Sequence, residues 1–187
     1  MAASKPDAIV LVAFEETTKI IPQFVSKGIG PKDVQLYFVD GNMADYSKTL
    51  KQVDLTGVKG TFPAPAEPDP GFNDKLKSVN PKLTDFTYGP QSYDAVMLIA
   101  LAAEAAKDDD GKAIAAKITE VSKDGTKCKG WEECVKLVKD GEDIDYDGVS
   151  GPSDMNDTGS PNKATIGIQE YTGNKYKQID SVSGVLD

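Results

Sequence analysis

The sequence predicts an α/β fold in which parallel strands alternate with helices that pack on them. Two apolar runs rich in β-branched and aromatic residues, Asp7–Phe14 and Val34–Gly41, are typical of buried strands. The segment between them, Glu15–Gly28, has the apolar spacing of an amphipathic helix, and Gly28 is a residue type that ends helices. Two strands joined by a helix predict a parallel β-α-β unit with a right-handed crossover.

Further elements follow the same logic along the chain. We expect a helix over roughly Met43–Val53 and a third strand over Val58–Phe62, which continue the alternation. The later predicted elements are helices over Gly71–Val79, Ser92–Lys107 with Ser92 as its N-cap, Gly111–Lys123 with Asp110 as its cap, and Trp131–Gly141, and a hairpin of strands Ala164–Tyr171 and Asn174–Val182.

A proline-rich stretch divides the chain into two packing units. Pro63, Pro65, Pro68 and Pro70 cannot continue a helix or the interior of a sheet, so they predict a crossing point. The helix over Ser92–Lys107 is apolar nearly all round and must be covered on several sides. The chain offers few elements to cover it, which suggests a partner segment from an upstream region or a second copy.

Composition excludes several classes of function. The 187 residues carry a formal net charge of −9 without a basic stripe, so nucleic acid is a poor partner. No apolar run reaches membrane-spanning length. The chain contains no histidine, which removes Ser-His-Asp and Cys-His catalysis and the common histidine zinc sites.

The two cysteines leave two alternatives open. Cys128 and Cys134 are too far apart to bond on one continuous helix, but a helix that begins near Trp131 would let Cys128 fold back onto Cys134. Such a disulfide would indicate an oxidising, extracytoplasmic compartment. The alternative is two unpaired, buried thiols. The first residues lack a signal-peptide pattern, so we expect either a cytosolic protein or a sequence that begins downstream of its natural start.

The acidic segment Gly141–Asn162 admits three interpretations. Asp154, Asn156 and Gly159 resemble the start of a calcium loop, but Thr165 stands where the bidentate acid is needed. The acids among residues 142–147 could form a catalytic carboxylate pair, although they lie in a run typical of a solvated loop. The third interpretation, a set of turns, suits a segment rich in Asn, Asp, Gly, Ser and Pro. Similarly, the acids at 108–110 suit a turn and cap better than a metal site.

Candidate binding residues stand at the ends of the first two predicted strands. Asp40 ends the second strand and is followed by Gly41, and Phe14 and Glu15 occupy the same place at the end of the first strand. In open parallel sheets, ligands bind beyond the carboxyl ends of the strands. A carboxylate beside an aromatic face suits an ammonium group. The alternative is that Asp40 serves only as a turn residue or helix cap.

Three stretches resemble a known family. The pattern from Pro6 to Gly41, the segment YGPQSYDAVMLIALAAEAA and the segment GEDIDYDGVSGPSDMNDTGSP resemble type I solute-binding proteins of ABC transporters, most closely those that bind branched-chain amino acids. The resemblance covers essentially the whole chain but only about the second half of a typical member. It implies a clamshell of two α/β lobes, with parallel sheets flanked by helices, of which this chain holds part of each.

The resemblance also implies boundaries and roles. Residues 1–62 and 168–187 would belong to the C-terminal, ligand-binding lobe, and residues 63–167 to part of the N-terminal lobe, with hinge crossings near 61–65 and 164–168. Asp40 would hold the α-ammonium of an amino acid, beside the turn formed by Phe14 and Glu15. The acidic segment would be structural.

The function implied is delivery of an amino acid or similar small polar solute to an ABC permease outside the cytoplasmic membrane. It involves no enzyme activity and no cofactor, and it places the signal peptide upstream of this sequence. A ligand-sensing receptor domain of the same fold is the alternative function, and pairing of two copies is a further possibility.

Overall fold

The computed structural model describes residues 2–64, 69 and 71–185. The chain divides into two compact units, which we call unit 1 (Met1–Pro63 and Ile166–Val182) and unit 2 (Ala64–Thr165 and Ser183–Asp187). Pro63 is described as the last residue of a strand, whereas the other three prolines of the predicted crossing point, at 65, 68 and 70, lie outside the described residues.

Unit 1 is built on a five-stranded mixed sheet. Its strands are β1 (Ala8–Leu11), β2 (Gln35–Phe38), β3 (Lys59–Pro63), β7 (Lys163–Thr172) and β8 (Lys175–Val185), in the order β1-β2-β3-β7-β8. β1, β2 and β3 are parallel, whereas β7 is antiparallel to β3. The helix α1 (Thr17–Ser26) connects β1 to β2, as the sequence predicts, and it continues through Pro22.

One face of this sheet holds the core of unit 1. Ile9, Leu36 and Phe38 point into it and are buried, together with Ile21 from α1 and Tyr171 from β7. The opposite face of β1 is open, with Val10 exposed to 64% of its surface. The expectation that Asp7–Phe14 would be a strand buried on both faces is therefore wrong for the outward-pointing residues.

The helix expected over Met43–Val53 does not form. After a 3-10 turn over Asp40–Asn42, the chain makes successive turns that deliver Tyr46 and Leu50 to the core. The hairpin turn between β7 and β8 stabilises these turns, because the Asn174 carbonyl accepts from Tyr46 N–H (2.9 Å) and the Asn174 amide donates to the Leu50 carbonyl (2.9 Å). Hydrogen bonds from Asn174 to the backbone of these turns thus replace some of the hydrogen bonds that a helix would have supplied.

Unit 2 packs four helices against a three-stranded sheet. The helices are α2 (Phe72–Val79), α3 (Gly89–Ala106), α4 (Gly111–Ile118) and α5 (Gly130–Lys139). The sheet comprises β4 (Thr126–Cys128), β5 (Ile144–Gly148) and β6 (Gly151–Pro152), with β4 and β5 parallel and β6 antiparallel to β5. Its core combines α3 with β5, where Leu101, Ile144 and Tyr146 are buried.

Of the two predicted helix N-caps, one is confirmed and the other is wrong. The Asp110 side chain accepts from Lys112 N–H (2.9 Å), so the predicted cap of α4 is confirmed. Ser92, however, is not the cap of α3, because that helix begins three residues earlier, after Tyr88 in a left-handed conformation. Pro90 lies in its first turn, where a missing N–H costs nothing.

The two cysteines are joined in a disulfide. Cys128 ends β4 and Cys134 lies in α5, with Cα atoms 5.3 Å apart and both residues buried in the core of unit 2. Their connection between a strand and a helix removes the alternative of two free thiols. The bond closes a short loop, since the two residues are six positions apart.

Removing this disulfide should lower the free energy of unfolding by about 2 kcal/mol, because the short loop gains conformational freedom in the unfolded chain. The measurement is urea unfolding of the wild type with and without reductant, compared with the C128S/C134S double variant. The double variant should match the reduced wild type and be insensitive to reductant. Thiol labelling shows whether the reductant has opened the disulfide. If the reduced wild type unfolds at the same urea concentration as the oxidised protein, the expectation is wrong.

Candidate functional site

The carboxyl ends of β1 and β2 lie side by side in unit 1. β1 and β2 pair in register from Ala8 opposite Gln35 to Leu11 opposite Phe38, so the chain leaves the two strands at the same edge of the sheet. The residues that follow them, Phe14 with Glu15 and Asp40 with Gly41, are those that the sequence singled out. We call these four residues the strand-end cluster.

Phe14 and Gly41 are in contact. An ideal Cβ built on Gly41 would lie 2.8 Å from Phe14 Cε1 and 2.9 Å from the Ala13 carbonyl oxygen, so only glycine allows this approach. The Phe14 ring remains 67% exposed despite the contact. An exposed aromatic face is therefore held against the turn that begins with Asp40.

Asp40 and Glu15 occupy turns rather than strands. Asp40 is exposed and opens the 3-10 turn, in which Met43 N–H donates to the Asp40 carbonyl (3.2 Å). Glu15 is exposed in the turn that leads into α1, and its carbonyl accepts from Thr18 N–H (3.2 Å) and the Thr18 hydroxyl (2.8 Å). The local fold thus leaves both carboxylates on the solvent side of the sheet edge.

Asn42 fixes the geometry of the strand-end cluster and was missed by sequence reasoning. Its side-chain oxygen accepts from Val39 N–H (2.8 Å), and its amide group donates to the Leu11 carbonyl (3.1 Å). Its own carbonyl accepts from the Tyr46 hydroxyl (2.8 Å). Asn42 is 1% exposed, so a buried carboxamide ties the end of β2 to the end of β1. The signal in the sequence was an Asn directly after Asp-Gly, because a carboxamide can accept through its oxygen and donate through its nitrogen to two different backbone groups.

The buried groups beneath the carboxyl ends of β1 and β2, Asn42 and Tyr46, are uncharged. Burial raises the pKa of Tyr46, so its phenol stays protonated and keeps donating to the Asn42 carbonyl. The exposed side carries Asp40 and Glu15, which are the sequence neighbours of Gly41 and Phe14, the two residues in contact. This arrangement can attract a cation with a carboxylate and pack it against an aromatic face.

A cleft of unit 1 lies at the other end of the sheet, away from the strand-end cluster. This cleft, of about 510 Å³, is lined by residues of the turns after Tyr46 and by the β7–β8 turn, including Lys51, Asp54 and Asn174. The Asn174 side chain is already committed, since its oxygen accepts from Leu55 N–H (3.2 Å) and its amide donates to Leu50. The Asn174 side chain is therefore used to hold the turns together and is not free to bind a ligand in this cleft.

The acidic segment is organised by hydrogen bonds within unit 2. The Asp154 carboxylate pairs with Lys163, and the Asn156 side chain accepts from Thr158 N–H (2.9 Å) and Ser160 N–H (3.0 Å). These oxygens thus close turns of the protein itself. Within the described part of the chain, no group of three or more His, Cys, Asp or Glu is placed to hold a metal ion.

Two acids on β5 form ion pairs with lysines, one on β4 and one directly after it. Asp145 accepts from Lys127 (2.8 Å) and Asp147 lies 3.2 Å from Lys129. The hydrogen bond from Lys127 to Asp145 raises the pKa of Lys127. Two of the four acids considered for a catalytic pair are thus ion-paired with lysines, and the other two, Glu142 and Asp143, are exposed before β5.

Asp94, in the segment YDAV, is the buried anchor of this region. Its carboxylate accepts four hydrogen bonds, from the Tyr146 hydroxyl (2.7 Å), Val149 N–H (3.0 Å), Ser150 N–H (2.7 Å) and the Ser150 hydroxyl (2.5 Å). A Cβ on Gly148 would lie 2.5 Å from this carboxylate. Asp94 thereby holds the turn between β5 and β6 against α3, which is a structural role.

No helix in the described residues is long and apolar enough to cross a membrane. No curated protein matches the sequence. Solved structures do resemble this chain, and at their low sequence identities the likeness shows the fold alone.

Three of these structures are solute-binding proteins. One is a leucine-binding protein, LivK, from Thermotoga maritima (17% identity, TM-score 0.68). The second is a branched-chain amino acid transporter substrate-binding protein, LivJ, from Streptococcus pneumoniae, in complex with isoleucine (18% identity, TM-score 0.66). The third is an ABC transporter solute-binding protein from R. palustris, in complex with benzoate (14% identity, TM-score 0.65). The matches cover 96%, 95% and 99% of this chain, respectively, but 45% of each of those chains. The chain therefore spans less than half the length of these neighbours.

The α/β fold, with mixed sheets flanked by helices, is thus that of part of a type I periplasmic binding protein, and the resemblance stated from the sequence is confirmed. The model of the family described as "Receptor family ligand binding region" matches residues 1–174, which is most of the chain. The chain belongs to this receptor family of ligand-binding regions.

Proposed function

We propose that this chain is part of the solute-binding component of an ABC importer, which captures an amino acid and delivers it to a permease. Branched-chain amino acids are the first candidates, because two of the neighbours are described as binding proteins for leucine or branched-chain amino acids. The observation that carries the proposal is the strand-end cluster, in which the exposed Asp40 directly precedes the glycine that contacts the exposed Phe14 ring.

In this proposal each member of the cluster has a separate task. Asp40 supplies the negative charge for the α-ammonium group, and Glu15 adds to the negative potential. Phe14 offers its ring face to the same cation, and Gly41 keeps the ring close to the Asp40 turn. Asn42 positions the whole cluster without contacting the ligand.

The proposal also covers the assignment of residues to lobes, the cellular compartment and the choice of binding over catalysis. Residues 1–62 and 168–187 are proposed as the ligand-binding, C-terminal lobe and 63–167 as part of the N-terminal lobe. The Cys128–Cys134 disulfide supports a location outside the cytoplasm, since disulfides persist in oxidising compartments. Binding rather than catalysis is proposed because the neighbours are binding proteins. We do not propose the receptor role, since two of the neighbours are named as solute- or substrate-binding proteins of transporters.

The proposal predicts a charge-specific effect of Asp40→Asn. Loss of the carboxylate should weaken binding of leucine, isoleucine or valine about tenfold, since a hydrogen bond to a charged group contributes about 1.5–3 kcal/mol and Asp40 is exposed. Benzoate, which has no ammonium group, should not respond in this way. Isothermal titration calorimetry of the wild type and the variant gives both affinities.

Asp7→Asn is the matched control, because Asp7 is also exposed but lies before β1, at the opposite end of that strand. It should leave the affinities unchanged. Equal weakening by both substitutions would show a general charge effect and contradict the assignment to Asp40. The absence of binding heat with all four ligands would contradict the proposed function for this chain.

A further inference from the structure

Tyr46 is a buried residue that is connected to both turns of the strand-end cluster. It is 4% exposed, so its contacts belong to the interior of unit 1 and not to its surface. Its ring packs edge-on against Phe38 (6.4 Å between ring centroids) and is stacked with Tyr171 (6.2 Å). Because the ring is held by two aromatic neighbours, its hydroxyl group has a fixed direction.

The first connection runs to the turn that begins with Asp40. The Tyr46 hydroxyl donates to the carbonyl of Asn42, the last residue of that 3-10 turn (2.8 Å). The Asn42 side chain accepts from Val39 N–H and donates to the Leu11 carbonyl. One phenol therefore holds the residue that ties the end of β2 to the end of β1.

The second connection runs to the turn that contains Phe14. Thr17, the first residue of α1, is fully buried, and its N–H donates to the Phe14 carbonyl (3.0 Å). Burial raises the pKa of Tyr46 and the side chain of Thr17 lowers it, which places the two hydroxyl groups near each other. The Thr17 hydroxyl makes no full hydrogen bond among the described residues, so the bond to Asn42 is the stronger connection.

We propose that Tyr46 is a positioning residue for the strand-end cluster: its hydroxyl group fixes the turn of Asp40 and Gly41 relative to the turn of Phe14, so that both can bind one ammonium group. This inference rests on the proposed function and extends it to a residue that does not touch the ligand. A site whose turns are already fixed binds more tightly, because less ordering accompanies binding. Without the hydroxyl, the buried Asn42 carbonyl loses its donor, and the turn can adopt other geometries.

Tyr46→Phe tests this proposal, because it keeps the ring and removes only the hydroxyl. The probe is whichever of leucine, isoleucine and valine the wild type binds most tightly, and isothermal titration calorimetry measures the affinity. The variant should bind this amino acid about fivefold more weakly, the change that corresponds to one neutral hydrogen bond.

Tyr171→Phe is the matched control. The Tyr171 hydroxyl belongs to a buried ring and also donates to a backbone carbonyl at 2.8 Å, but the acceptor is Ala44 and not Asn42. The substitution therefore removes the same group from the same core without releasing the residue that joins β1 and β2. Its affinity for the amino acid should equal that of the wild type.

A double-variant cycle separates positioning from a general loss of stability. If Tyr46 acts through the carboxylate of Asp40, Tyr46→Phe should change the affinity less than about twofold in the Asp40→Asn background. A merely structural effect of Tyr46 would weaken binding equally in both backgrounds.

Amide hydrogen exchange measures the geometry without any ligand. Val39 N–H, which donates to the Asn42 side chain, should exchange faster in Tyr46→Phe than in the wild type. Ala44 N–H, which donates to the Tyr171 hydroxyl (3.2 Å), should exchange faster in Tyr171→Phe, in which Val39 should be unchanged. This crossed pattern distinguishes release of Asn42 from loosening of the whole segment.

Four results would overturn the proposal while leaving the proposed function intact. They are wild-type affinity in Tyr46→Phe, equal losses of affinity in the two Phe variants, an undiminished loss in the Asp40→Asn background, and an unchanged exchange rate of Val39 in Tyr46→Phe. A wild type that binds none of the three amino acids would instead contradict the proposed function, and the binding role of Tyr46 with it.

Discussion

Asp94→Asn should lower the free energy of unfolding of unit 2 by about 3 kcal/mol. The four hydrogen bonds that converge on Asp94 require two oxygens, because each oxygen accepts from two donors. The substitution replaces one oxygen with an NH₂ group that faces existing donors. A charge-assisted bond, worth about 1.5–3 kcal/mol, is lost, and a buried N–H without a partner costs about 1–3 kcal/mol more.

The phenol of Tyr146 makes this loss sharper. Burial raises its pKa, and the hydrogen bond to Asp94 raises it further, so the group stays protonated and needs an acceptor. Urea unfolding monitored by near-ultraviolet circular dichroism measures the effect. Asp109→Asn is the control, since Asp109 is exposed in the turn before α4, and it should change the stability little. Equal stability of Asp94→Asn and the wild type would show that the turn between β5 and β6 does not depend on the carboxylate.

Tyr171→Ala should destabilise unit 1 by about 4 kcal/mol, the range found when a buried aromatic side chain is removed. The Tyr171 ring is 1% exposed and packs against Phe38 (5.8 Å between ring centroids), Tyr46 (6.2 Å) and Tyr176 (5.6 Å). Its hydroxyl donates to the Ala44 carbonyl (2.8 Å) and accepts from Ala44 N–H (3.2 Å). Loss of the ring therefore opens a cavity and also frees the backbone of the turn at Ala44.

Tyr171→Phe separates the two contributions. It keeps the ring and removes the hydroxyl, so we expect a loss of about 1–2 kcal/mol, from the unpaired backbone groups of Ala44. Thermal unfolding of Tyr171→Ala, Tyr171→Phe and the control Tyr37→Ala, in which the ring is partly exposed, gives the comparison. An equal loss in Tyr171→Ala and Tyr37→Ala would show that the buried position of Tyr171 does not decide the outcome, and an equal loss in Tyr171→Ala and Tyr171→Phe would assign the effect to the hydroxyl alone.

Elements defined by local patterns could be predicted from the sequence. β1, α1 and β2 follow from apolar periodicity, and Gly28 ends α1 with a φ of +64° that glycine adopts without strain. The hairpin of β7 and β8 was similarly visible from alternation around Gly173. In each case the residues that specify the element lie within the element.

The missed elements depend on distant partners. Met43, Tyr46, Leu50 and Val53 have helical spacing, yet contacts from Asn174, more than a hundred positions later, hold turns there. β4 is three residues long and has no apolar alternation, so only its pairing with β5 identifies it.

The strand-end cluster was predictable only in part from the sequence. Its four residues were found because they follow predicted strands, and the structure brings Phe14 and Gly41 together. Their role in binding remains a prediction. Asn42 was missed because its importance comes from Leu11, which is thirty-one positions away.

The division of unit 1 between the two ends of the sequence has a consequence for synthesis on the ribosome. β3 takes its antiparallel partner from β7, so the residues up to Pro63 wait for more than a hundred further residues before the sheet is complete. Unit 2 is nearly continuous in sequence and can fold during that delay. Until β7 emerges, β3 lacks its antiparallel neighbour and presents an unpaired side, so the nascent chain is most exposed to mispairing in that interval.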